Sequence, residues 1–73
     1  MKRQKVRKPL MRQLEPGDKV TIIEDEPRYR LEAGDVGIVE LVYGEDVYEI
    51  HFVNKDGKEF DGMFGSAELA EPD

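Results

Sequence analysis

Seventy-three residues suffice for one small domain and leave no room for a second core. The chain carries 11 Lys+Arg against 17 Asp+Glu, a formal net charge of −6, with 38% hydrophobic residues and no cysteine. That composition excludes a disulfide scaffold, thiol chemistry and cysteine-held zinc, and no apolar run nears the ~20 residues of a membrane helix.

The first twelve residues, MKRQKVRKPLMR, hold Lys2, Arg3, Lys5, Arg7, Lys8 and Arg12 and no acid. Residues 13–73 hold the other five basic residues and all 17 acidic ones, a net of −12. This reads as a flexible, disordered basic arm (1–12) on an acidic folded body (13–73). Val6, Leu10 and Met11 are scattered, so no secretory core follows the charges, and the length and serine content of a transit peptide are missing. The expected location is cytoplasmic.

Glu15-Pro16-Gly17-Asp18 predicts a turn: Pro fixes φ, Gly accepts positive φ, and Asp bonds its own backbone two residues on. Lys19–Ile23 alternates and is β-branched, which predicts a strand with Val20 and Ile22 on one face. Pro27 ends it, and a long loop from Arg28 to Gly34 follows, carrying Tyr29 and Leu31 over the mouth of the fold. Gly34-Asp35 launches a strand over Val36–Tyr43, with Gly37 suited to a bulge or a close backbone approach. Gly44-Glu45-Asp46 turns into Val47–Val53, where Tyr48, Ile50 and Phe52 share one face and Glu49 and His51 the other.

Asn54-Lys55-Asp56-Gly57 predicts a type I′ hairpin, returning through Lys58–Phe64. Gly65–Glu68 predicts one helical turn capped by Ser66, and Leu69-Ala70 a last short strand. Five short strands and tight turns predict an all-β fold, a small closed or half-open barrel that leaves few bare edges. Its expected core is Val20, Ile22, Val39, Leu41, Tyr48, Ile50, Phe52, Phe60 and Leu69, a modest set that predicts marginal stability.

The run Gly34-Asp35-Val36-Gly37-Ile38-Val39-Glu40, then Val47-Tyr48-Glu49-Ile50-His51-Phe52 and Asp56-Gly57, resembles SH3-like barrels. It looks closest to a small bacterial domain-of-unknown-function family reading Gly-Asp-x-Gly-Thr-Val-Val, Tyr-Glu-Val-Glu-Phe and Asp-Gly, and Ser66-Ala67-Glu68-Leu69 is similar to its closing segment. The resemblance spans about Leu14 to Glu71 and implies an SH3-like barrel of about five strands. It implies no activity. Pro27-Arg28-Tyr29 more weakly resembles the β-subunit barrel of nitrile hydratase, which would imply an accessory or assembly role beside a metalloenzyme chain, although Tyr29 stands five residues ahead of Gly34, further than that pattern has it. A looser similarity to barrel subunits that dock ferredoxin meets like-charge repulsion from the acidic body.

His51 is the lone histidine, with Glu49 and Glu59 as its expected neighbours, and reads as a solvent-facing strand residue. One His among scattered acids shows no metal-ligand spacing, so neither a metal nor another cofactor is expected. Gly34-x-x-Gly37 lacks the Lys-Ser/Thr of a phosphate cradle, and Thr21 and Ser66 have no base nearby. The expectation is a non-enzymatic module for a protein partner with a basic surface. The candidate binding residues are Arg28, Tyr29 and Arg30 in the loop, and Tyr43, Glu45, Asp46, Glu49 and Phe64 beside the turns. Nucleic-acid or ribosome association through Lys2, Arg3, Lys5, Arg7, Lys8 and Arg12 is the first alternative. The metalloenzyme accessory role is the second.

Overall fold

The alternation of apolar and polar side chains is realised as a single antiparallel sheet in a computed structural model that describes residues 8–10 and 12–72. The strands are β1 (Lys8–Pro9), β2 (Lys19–Ile22), β3 (Val36–Tyr43), β4 (Val47–Val53), β5 (Glu59–Gly65) and β6 (Leu69–Glu71). Two 3-10 turns, Pro27–Tyr29 and Ser66–Glu68, interrupt them. The order across the sheet is β1-β6-β2-β3-β4-β5. β2 to β5 form a meander, and the chain then returns through the second 3-10 turn to lay β6 against β2. This is the connectivity of an SH3-like barrel, open between β5 and β1 among the described residues. Among those residues no helix is long and apolar enough to cross a membrane.

The inner face collects Val20, Ile22, Val39, Tyr48, Ile50, Phe52, Phe64 and Leu69, closed at the ends by Leu14 and Leu31. Leu31 comes from the long loop, pinned by paired backbone bonds between Glu26 and Leu31. Tyr48 is buried along with its polar tip, which accepts from the Leu14 N–H and donates to the Glu45 carbonyl at 3.2 Å.

Gly37 meets the close approach its type suggested: a Cβ there would lie 2.5 Å from Ile50 Cγ2 and 2.7 Å from a Phe52 ring carbon. The bulge itself falls three residues later, where the β3–β4 register shifts between Val39 and Leu41. The extra residue puts Glu40 and Leu41 both outside, so Leu41, expected in the core, is 49% exposed. Phe60 is only partly buried, packed on the core from its rim.

Three turns differ in detail from the sequence reading. At the β4–β5 hairpin only Gly57 has positive φ (80°), which excludes the type I′ geometry. The Gly57 N–H donates to the Asn54 carbonyl at 2.8 Å and the Asn54 N–H to Lys58, giving a three-residue loop whose glycine takes the left-handed position. In the first turn the Asp18 carboxylate reaches back to the Glu15 N–H at 2.8 Å. Before β6 the N-cap position is Gly65, not Ser66, and Glu68 Oε1 accepts the Gly65 N–H at 2.7 Å.

Lys8 and Pro9, read as part of the arm, pair with Glu71 and Ala70 as β1. Arg12 bridges Asp18 at 2.8 Å and Glu71 at 3.2 Å, which draws the end of the same segment onto the body. Lys2, Arg3, Lys5 and Arg7 lie outside the described residues.

Candidate functional site

The expected partner-binding residues divide between the two ends of β4. At the hairpin end, Tyr29 stacks on Phe60 with ring centroids 4.7 Å apart, and the Arg28 guanidinium lies 5.2 Å from the Tyr29 centroid. Arg30 takes a left-handed backbone (φ 59°) and is ion-paired with Asp56. Asn54 ties this loop to the hairpin: its Nδ2 donates to the Tyr29 carbonyl at 3.0 Å, and its Oδ1 accepts from the Asp56 and Lys58 N–H groups. The shallow cavity between them holds about 280 Å³; Arg30 and Asp56 pair across it, while Arg28 lies against the Tyr29 ring and Lys58 makes no ion pair among the described residues.

At the opposite end, Tyr43 donates to Glu49 Oε1 at 3.3 Å, and partial burial with that neighbouring carboxylate raises the phenol's pKa. Glu45 and Asp46 sit in the β3–β4 turn, where the Asp46 carboxylate accepts from the Ser66 hydroxyl at 3.4 Å. Phe64 does not line a surface groove with them. It is an inward residue of β5, 4% exposed and edge-on to Phe52 at 5.4 Å, because Asp61 and Met63 take the outward positions.

A second concavity was not visible in the sequence. Ile22, Ile23, Phe64 and Ala67 floor a notch of about 110 Å³ between the end of β2 and the second 3-10 turn, and Glu24, Glu26 and Glu68 stand round its rim. Glu24 and Glu26 make no ion pair among the described residues. An apolar floor under unpaired carboxylates suits the aliphatic stem and charged head of a lysine or arginine.

On the outer face of the sheet, His51 lies between two carboxylates of β5. Its Nδ1 is 2.7 Å from Asp61 Oδ1 and its Nε2 3.2 Å from Glu59 Oε1. The bond to Asp61, above all, raises the imidazole's pKa, with the charges of Asp61, Glu59 and Glu40 adding to it and desolvation opposing it. Ligand atoms of Glu40, His51 and Asp61 all fall within 4.8 Å of one another. Glu59 was an expected neighbour; Asp61 and Glu40 were not. Asp61 is the register partner of His51, and Glu40 arrives through the bulge, so neither follows from spacing in the sequence.

Of the basic residues proposed for nucleic acid, Arg12 is engaged by two carboxylates, which hold its pKa up, and Lys8 enters β1 through its backbone. A family model described as a domain of unknown function (DUF4926) matches residues 14–61, about two thirds of the chain. No curated protein matches, and no solved structure does.

Proposed function

The chain belongs to the DUF4926 family, and from the chemistry of its own surface we propose that it is a cytoplasmic, non-enzymatic interaction module for a basic segment of a partner protein. The observation that supports this reading is the notch floored by Ile22, Ile23, Phe64 and Ala67 and rimmed by Glu24, Glu26 and Glu68. A lysine or arginine stem laid on that floor buries methylenes at about 0.8 kcal/mol each. Its charge then meets rim carboxylates at the ~0.2–1 kcal/mol of an exposed pair. The freedom lost on association, about 4 kcal/mol or more, consumes most of that gain, so such a contact alone is weak. A tighter partner therefore adds contacts beyond the notch, and the acidic body speeds its approach.

The reading is tested by titrating the ¹⁵N-labelled full chain with short peptides carrying one central Lys or Arg between apolar residues. Acidic peptides and a single-stranded oligonucleotide serve as comparisons. The expected result is amide shifts concentrated at Ile23, Glu24, Ala67 and Glu68, weakening as salt rises, and severalfold weaker binding in the Glu24→Gln/Glu26→Gln double variant. Shifts confined elsewhere, or an oligonucleotide that binds while the basic peptides do not, would replace this proposal with another.

A further inference from the structure

The outer face of the sheet carries a group that the notch reading leaves unused. We infer that Glu40, His51 and Asp61 form a binding site for a divalent transition-metal ion of the Zn²⁺ class. The three ligands come from three adjacent strands: Asp61 on β5 is the register partner of His51 on β4, and the β3 bulge brings Glu40 alongside. Their donor atoms lie within 4.8 Å of one another. Small side-chain rotations bring them to the ~2.0–2.2 Å that zinc makes with imidazole nitrogen and carboxylate oxygen.

Two further observations favour a cation here. The first is charge. One imidazole faces the carboxylates of Glu40, Glu59 and Asp61, and none of these three pairs with a lysine or arginine among the described residues. With His51 neutral, as a metal ligand must be, the group carries three negative charges, which a divalent ion reduces to one. The second is the orientation of the ring. His51 Nε2 faces Glu59 at 3.2 Å, which is the outer carboxylate that a metal-bound histidine commonly uses to fix its tautomer. That contact leaves Nδ1 facing Asp61, and the ion takes the place of the proton that Nδ1 shares with Asp61.

One nitrogen and two carboxylate oxygens suit Zn²⁺ or its first-row neighbours, whereas Mg²⁺ and Ca²⁺ prefer all-oxygen shells. A fourth position would face solvent, since Glu40 and Asp61 are exposed and His51 is half-buried. That leaves an open coordination site on a rigid sheet.

The test is isothermal titration of the chelator-treated full chain with ZnCl₂ in a weakly coordinating buffer, with Co²⁺ absorption as a second readout of coordination. The expected result is one saturable site per chain, weakened at least tenfold by Glu40→Gln and by Asp61→Asn, and about 10–100-fold by Glu59→Gln, which only releases the ring. Glu15→Gln, an exposed carboxylate outside the cluster, should bind as the parent does. Circular dichroism establishes that each variant is folded, which Glu40→Gln is expected to be, because its side chain is exposed. No saturable uptake by the parent, or a folded Glu40→Gln variant that binds zinc as tightly, would overturn the assignment.

Discussion

Gly37 shows how one missing methyl group sets the distance between a strand and the core. Its position is occupied from the far side by Ile50 and by the Phe52 ring, both buried. A Cβ at 2.5 Å from a methyl carbon of Ile50 has nowhere to go, because both neighbours are fixed by their own packing. Gly37→Ala gains about 0.4–1 kcal/mol by stiffening the unfolded chain, but overpacking costs about 1–3 kcal/mol. The net expectation is a loss of roughly 1–2 kcal/mol, read as a lower urea midpoint with an unchanged slope. A neutral or stabilising result would show that β3 shifts easily, and that the register at Gly37 is softer than its contacts indicate. Gly37 was legible in the sequence because a glycine inside a β-branched run has few explanations. His51 was less so: its face was readable from the period of two, but Asp61 became its partner only once the β4–β5 register was set.

At the scale of the elements, β3 and β4 begin and end where alternation, β-branched content and the Gly-Asp and Gly-Glu-Asp turns placed them. The bulge is what the pattern concealed. Val39, Glu40 and Leu41 read as continuous alternation, in–out–in, and nothing in three ordinary strand residues announces that one is extra. Two substitutions check the consequence. Leu41→Thr, on the exposed side, is expected to change stability by no more than about 0.5 kcal/mol. Leu31→Ala, from a loop with no strand pattern at all, should cost about 2–5 kcal/mol, because its side chain is 2% exposed and closes the core. Denaturation curves of the two variants should therefore fall in the reverse of the order that strand periodicity alone suggests. Equal losses would mean that Leu41 turns inward and that the bulge does not persist in solution. The β4–β5 turn shows the same limit of local signals. Asn54-Lys55-Asp56-Gly57 fits either a two-residue or a three-residue hairpin, and the choice falls to Asn54, whose side chain is held in place by Asp56, Lys58 and the Tyr29 carbonyl.

Over the whole molecule, the charge that divides the sequence also governs how the fold responds to salt. Three of the described cations are paired: Arg12 with Asp18 and Glu71, Arg30 with Asp56, Lys55 with Glu32. Each of these pairs is exposed and worth only about 0.2–1 kcal/mol. Against them stands the mutual repulsion of a chain with net charge −6, folded to a radius of gyration of 12.1 Å. The Debye length falls from about 30 Å at 0.01 M salt to about 8 Å at 0.15 M. At the lower value the acidic residues across the whole body repel one another, whereas at the higher value most of that repulsion is screened. Contacts near 3 Å lie well inside either length and lose far less. Salt should therefore stabilise the protein: between 0.01 and 0.15 M NaCl, with chelator present to keep divalent ions off the His51 cluster, the thermal midpoint should rise. A gain of about 1 kcal/mol corresponds to roughly 4–8 °C for a domain of this size. A falling midpoint would mean that the ion pairs outweigh the repulsion, and Arg12→Gln, which removes the bridges of Arg12 to Asp18 and Glu71, should then make the fall smaller.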